Sequence, residues 1–204
     1  MSIQIGLTGG MGCGKSTALS YFQKHGARVV DTDALVKRLL SEDLELRTAI
    51  AEAFGKGILD AEGKIDRAKL GRTVFSDSRA LQVLETLVHP RVREEWMAYL
   101  REAHPLLVIE LPLLFENGLE EHFTHTVCVS CCPELQKQRL AARGVTQKQQ
   151  EQRIGRQLPI EEKIKRSTFT LHNNGSLEHF EAQIIWILKE LQRSDLTPNR
   201  KAGT

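Results

Sequence analysis

The sequence is short of most features that assign a function by default. Among 204 residues, aromatics make up 5%, Cys occurs four times and Pro six times, and charge is nearly balanced, with 28 Lys and Arg against 26 Asp and Glu. A formal net charge of +2 gives no electrostatic argument for nucleic acid or an anionic membrane as partner. No apolar run approaches the ~20 residues of a membrane span. The longest, Pro105–Phe115, is interrupted by Glu110. The opening Met1–Gly6 has no basic stretch leading into an apolar one, the mark of a secretory leader. Cys13, Cys128, Cys131 and Cys132 are too few and too awkwardly spaced for a disulfide framework, so a reduced, cytoplasmic protein is expected. What is present is 41% hydrophobic and 26% charged residues, ordinary globular proportions. The length suits one domain of roughly 150 residues with an elaboration, or two small ones.

Ile3–Thr8 alternates apolar and polar residues and runs into glycines, which predicts a strand. Ser16 to about His25 has helical spacing and stops at Gly26. Ala27–Asp31 reads as a second strand, and Leu35, Val36, Leu39 and Leu40 form a helical stripe behind Asp33. Strand, loop, helix, strand, helix is the opening of a parallel α/β sheet. Leu44 to His104 reads as mainly helical, with turns at Gly55–Gly57 and Asp60–Gly63 and a break or kink at Pro90. Leu106–Leu111, His125–Ser130 and Phe169–His172 are further strands. Helices are expected from Pro133, over about Thr146–Gln157, over Ile160–Arg166 and over Leu177–Leu191, with a frayed tail from Ser194.

The strongest chemical signal is Gly9, Gly10, Met11, Gly12, Cys13, Gly14, Lys15, Ser16, Thr17, which completes G-x-x-x-x-G-K-[ST] between a predicted strand and a predicted helix. Glycines let the backbone curl so that its N–H groups form an anion nest, and the following helix adds its positive end. Lys15 supplies a cation for the β- and γ-phosphates, and the Ser16 hydroxyl suits Mg²⁺. Cys13 occupies a position where the backbone does the binding, which argues against a nucleophile. A guanine-reading N-K-x-D is missing, since His172-Asn173-Asn174-Gly175 has neither Lys nor Asp at the needed places, and Asp60–Gly63 is a turn. Glu110, closing an apolar strand, leaves room for an ATPase-type acidic strand end.

A small kinase also needs an acceptor-side base and a clamp. Asp31 and Asp33 lie at the end of the second strand, and in open α/β sheets ligands gather at the carboxyl ends of strands. Either carboxylate can take a hydroxyl proton or bind Mg²⁺, and either can also cap the helix that follows. The segment Gln136–Arg166 holds nine Lys or Arg against three Glu, a net +6, which leaves −4 for the rest of the chain. Arg139 and Arg143 are i, i+4 neighbours, and Arg153 and Arg156 are i, i+3 neighbours. Such forks suit a triphosphate, the alternative being a solvated basic face. His122, His125, Cys128 and Cys131 recur every three residues, but on a strand that period alternates faces, so buried cysteines are expected there rather than a zinc site.

Together these pieces resemble the dephospho-coenzyme A kinase family. The resemblance rests on Ile5–Thr17, Val30–Asp33, Leu87–Pro90, Leu111–Glu116 (reading Leu-Pro-Leu-Leu-Phe-Glu), Arg139 with Arg143, Arg153–Gln157 and His172–Gly175. It implies an α/β P-loop core with a central parallel sheet (residues 1–40, 105–135 and 167–193), a helical substrate region (41–104), a basic lid (136–166) and a tail (194–204). It implies ATP and Mg²⁺ as cofactors and phosphoryl transfer to the ribose 3′-hydroxyl of dephospho-CoA. The implied partner is that small molecule, with no nucleic acid and no membrane, in a monomer or small homo-oligomer. Asp33, Lys15 and Arg139 are the implied catalytic residues, and Ser16 and Asp33 the metal-side ones. Gly10, Met11, Gly12, Cys13, Gly14, Lys15, Ser16, Thr17, Arg143 and Asn174 go with the nucleotide. Asp31, His89, Pro112, Leu113, Leu114 and Glu116 go with the substrate. Two departures stand out: Cys13 where the family usually has Ser, and His172 where an Asp usually ends the last strand.

Overall fold

The computed structural model describes residues 2–144, 146, 150 and 154–193. Within them the chain forms two compact units, residues 1–31 with 103–204 and residues Thr32–Glu102.

The first unit is built on a five-stranded sheet whose strands are all parallel: β1 (Ile3–Gly9), β2 (Arg28–Asp31), β3 (Leu106–Glu110), β4 (His125–Ser130) and β5 (Phe169–His172). Their spatial order is β2-β3-β1-β4-β5, so β1 is central, with Ile3 opposite Leu106 on one side and Ile5 opposite His125 on the other. Every residue of β4 is buried, the polar His125, Thr126 and Ser130 included, so the strand shows no apolar-in, polar-out alternation. Alternation survives in β1. Ile5 and Leu7 join the cluster formed with α1 (Lys15–Lys24) and α8 (Leu177–Arg193), while Gly6 and Thr8 face Leu114, Phe123 and Pro112 on the other side. In α8 the buried residues are Phe180, Ile184, Ile187 and Leu191, a stripe at helical spacing. The unit also holds α6 (Pro133–Ala142), with Pro133 in its first turn, and α7 (Ile160–Arg166). The helix expected over about Thr146–Gln157 falls largely outside the described residues, as does Arg153.

The second unit is helical: α2 (Thr32–Glu42), α3 (Leu44–Phe54), α4 (Arg67–Ser76) and α5 (Ser78–Arg101). Its boundary falls directly after Asp31, so α2 goes with the helices, whereas the sequence suggested a core reaching residue 40. Asp43, Asp66 and Asp77 cap α3, α4 and α5 by accepting from backbone N–H groups. Pro90 does not break α5, which runs as one helix from Ser78 to Arg101. Val88, Val92 and Trp96 anchor it in the unit's interior on both sides of the exposed Pro90, and this packing outweighs the missing hydrogen bond. The expected Asp60–Gly63 turn is present, with the Asp60 side chain accepting from the backbone N–H groups of Glu62 and Lys64.

Candidate active site

Residues Gly9–Lys15 carry the chain from the carboxyl end of the central strand into α1, the place where an open parallel sheet binds ligands. Two glycines are required by space as well as by conformation. A Cβ on Gly9 would stand 2.2 Å from the Val129 carbonyl oxygen, and one on Gly14, at φ 104°, would stand 2.2 Å from Asn173 Nδ2. The Lys15 ammonium donates to the carbonyl oxygens of Gly9 and Gly10, both at 3.3 Å, so its charge lies back over the loop.

The loop is held from outside by polar side chains. Asn173 is 4% exposed, and its Nδ2 donates to the Cys13 carbonyl at 2.9 Å. Gln136, on α6, donates to the Met11 carbonyl at 2.7 Å. Arg139, one turn further along α6, donates through Nη2 to the Asn173 carbonyl at 3.0 Å and to its Oδ1 at 3.3 Å. The other terminal nitrogen, Nη1, is buried with no hydrogen-bond partner. A guanidinium fixed beside the loop with a dry, unused donor is prepared for an anionic oxygen. Cys13 is buried, and its Sγ stands 3.4 Å from that of Cys131.

Of the expected nucleotide residues, the loop and Arg139 come together. Asn174 accepts through Oδ1 from the Cys132 N–H at 2.7 Å, and its neighbour Asn173 bonds to the loop. Arg143 is an exposed residue at the end of α6. His172 bonds through Nδ1 to Ser130 Oγ at 3.0 Å, and its backbone is clamped on both sides by Gln183.

Asp31 is the last residue of β2, in register with Glu110 of β3. Asp33 lies in the first turn of α2, inside the helix rather than at its cap position. In the helical unit His89 is exposed on α5, so it is not a packing histidine. The segment after β3 behaves differently from a purely substrate-facing strip. Leu114 and Phe115 are buried, Leu114 completely, so the Leu114 side chain serves the core and only its backbone is left for a ligand. Glu116 accepts the Leu158 N–H at 2.8 Å and pairs at 2.8 Å with Lys163, which is 1% exposed. Lys163 also donates to the Pro112 carbonyl at 2.9 Å, an oxygen that accepts from Thr8 Oγ1 as well. Glu116 is thereby engaged in fastening α7 to the strip. Arg166 pairs with Glu120 and lies over the Phe115 ring, 4.7 Å from its centroid. Two of the basic residues expected in the lid, Lys163 and Arg166, are therefore spent on internal contacts.

Among the described residues no group of three or more His, Cys, Asp or Glu is arranged to hold a metal, and the period-three constellation is dispersed. Cys128 is fully buried on β4, where burial pushes its thiol up to about 11, and His125 stacks near Phe169 with burial lowering its pKa. No described helix is long and apolar enough to cross a membrane.

Comparison with known proteins agrees with this geometry. A family model for dephospho-CoA kinase matches residues 3–179. A dephospho-CoA kinase from Bacillus licheniformis is 40% identical over 194 residues, covering 92% of this chain and 96% of the relative. Among solved structures, a Thermus thermophilus protein is similar with a TM-score of 0.77 at 40% identity, covering 93% of this chain and 98% of its own. Dephospho-CoA kinase from Campylobacter jejuni has a TM-score of 0.70 at 28% identity, covering 94% and 98%. With the match running from β1 into α8 and a phosphate loop at the carboxyl end of the central strand, the chain belongs to the dephospho-CoA kinase family.

Proposed function

We propose that this chain performs its family's reaction, ATP-dependent phosphorylation of the ribose 3′-hydroxyl of dephospho-CoA to CoA, with Lys15, Arg139 and Asp33 in the central roles. The observation that carries the nucleotide half is Arg139, held by Asn173 against the loop with Nη1 buried and unpartnered. The loop N–H groups and Lys15 hold the β- and γ-phosphates, and Arg139 takes charge that spreads over the moving phosphoryl oxygens. The Ser16 hydroxyl and the Asp33 carboxylate are hard oxygen donors of the kind Mg²⁺ prefers. Held by these residues, Mg²⁺ would supply positive charge against the phosphates.

On the acceptor side, Asp33 takes the proton of the ribose hydroxyl as its oxygen attacks phosphorus. Support comes from its place two residues beyond the carboxyl end of β2. Asp31, His89, Pro112, Leu113 and the backbone of Leu114 are the substrate-side residues in this reading, with Glu116 acting through Lys163 to hold the strip. Arg143 and Asn174 are assigned to the outer nucleotide site. Residues 41–104 are the substrate region in this reading, and the segment 136–166 is a lid whose net positive charge suits a triphosphate.

Asp33→Asn tests the assignment. Kept within the first helical turn, Asn preserves the fold but takes no proton, so kcat should fall about 10²- to 10⁴-fold. ATP affinity should change far less, because the loop and Lys15 are intact. A variant retaining more than about a third of wild-type kcat rejects Asp33 as the base. ADP release stimulated by dephospho-CoA, and not by nucleoside monophosphates, tests the substrate independently.

A further inference from the structure

We propose that Cys13 and Cys131 are a redox-modification site, at which a peroxide closes a disulfide across the phosphate loop and switches off nucleotide binding. The two Sγ atoms are 3.4 Å apart, and a disulfide needs about 2.05 Å, so closure asks for a movement of only about 1.4 Å. The two residues come from different parts of the unit, Cys13 from the loop after β1 and Cys131 from the residue just beyond β4. All four cysteines are free thiols. Cys128 is fully buried within β4, and Cys132, next to Cys131, belongs to the chain entering α6.

The site is asymmetric, and this orders the chemistry. Cys131 is partly exposed, whereas Cys13 is 2% exposed, so oxidant reaches Cys131 first. The Cys131 thiolate attacks one peroxide oxygen, the O–O bond breaks, and the hydroxide released takes a proton to become water, leaving a sulfenic acid. The Cys13 sulfur, losing its proton, then attacks the Cys131 sulfur; the S–O bond breaks and a second water leaves. Two thiols have lost two electrons to one peroxide, and a dithiol reductant reverses the change. Burial, first, and the neighbouring Cys13 and Cys132 push the Cys131 thiol up to about 12, with the Arg139 guanidinium opposing. Thiolate is therefore scarce near neutrality, so the reaction is slow there and speeds up as pH rises.

Position gives the crosslink its effect. The Cys13 sulfur lies 2.7 Å from where a Cβ on Gly10 would be, inside the turn of the loop. Cys13 N–H donates to the Gly10 carbonyl at 3.2 Å, and Cys13 C=O accepts from Asn173. Drawing the sulfur toward Cys131 rotates the peptide planes on either side of residue 13, and their N–H groups are part of the anion nest.

The test uses the full chain, treated with hydrogen peroxide and then mapped by non-reducing peptide mass spectrometry alongside ATP binding and turnover. A Cys13–Cys131 crosslink is expected, with ATP affinity lowered at least about tenfold and restored by dithiothreitol. Cys131→Ser should keep the activity of the reduced enzyme and resist inactivation, while Cys132→Ser should be inactivated like the wild type. A Cys131–Cys132 disulfide, a sulfinic acid at Cys131 without linkage, a crosslinked enzyme that binds ATP normally, or a Cys131→Ser variant inactivated at the wild-type rate would each overturn the proposal. The inference rests on the loop binding ATP, which the affinity of the reduced protein establishes separately.

Discussion

The surroundings of the phosphate loop and the helical unit Thr32–Glu102 are stabilised by opposite means. Around the loop, neutral side chains bond to backbone carbonyls, as buried Asn173 does to Cys13 and half-buried Gln136 to Met11, with an ion pair nearby between buried Lys163 and Glu116. In the helical unit the polar contacts are at the surface: Arg38 with Glu95, Arg91 with Asp43, Glu45 and Glu94, and three Asp caps. Water can replace a surface partner, so those pairs contribute little individually. It cannot replace one beside the loop, where removing a side chain leaves its partner dry. The lesson is that the site's precision depends on groups that are costly to disturb, while the helical unit tolerates change.

The sharpest way to break the contrast is Lys163→Met. It leaves the Glu116 carboxylate with the Leu158 N–H but without its cation, and breaking a buried pair in this way costs about 3 to 5 kcal/mol. Denaturant unfolding measures it. Adding Glu116→Gln to the same variant should recover part of the loss, since the unpaired charge is then gone. Recovery of nothing would mean that Lys163 acts through Pro112 alone.

A smaller effect is expected from Asn173→Ala, which leaves the Cys13 carbonyl without its donor and Arg139 without one acceptor. The expected loss is about 1 to 3 kcal/mol of stability. A raised KM for ATP, with the KM for dephospho-CoA nearly unchanged, would separate a loop-holding role from general destabilisation.

The smallest effect belongs to the half-buried cap Asp66. The Lys69 N–H, and after it the Ala68 N–H, hold its carboxyl below the usual carboxylate range against a modest opposing desolvation. A depressed folded-state pKa means stability that is present above the unfolded-state value and lost as pH falls through the folded one. Asp66→Ala should therefore lower Tm slightly at neutral pH, and the difference from wild type should vanish in acid. A difference that persisted below the carboxylate range would show that the side chain works by packing rather than as a charged acceptor.

Much of this was legible in the sequence because it is written locally. The phosphate loop lies in nine consecutive residues, and the strands announce themselves as short segments rich in apolar residues, each closed by Gly or a polar residue. What was not legible depends on partners distant in the chain. Lys163 reads as one more solvated cation in a basic stretch, and only Glu116 and the Pro112 carbonyl explain its burial. Asn173 and Asn174 are alike as letters. The buried Leu171 two positions earlier implies that residue 173 points inward, a period-two signal available in the sequence. Pro90 misleads for the converse reason, because its local penalty is overridden by Val88, Val92 and Trp96. The Asp33 cap reading fails because α2 follows β2 with no intervening turn.

The central position of β1 also orders events during synthesis. Its two neighbours are Leu106–Glu110 and His125–Ser130, so the strand carrying the nucleotide loop has no partner while the first hundred residues emerge. The side chain that locks Cys13 is 160 positions downstream, at Asn173. Such long-range closures form late, because loop-closure entropy must be overcome before the contacts form. A ribosome-bound chain should therefore reach its full ATP affinity only after Asn173 has left the exit tunnel, which ties tight nucleotide capture to the arrival of the last strand.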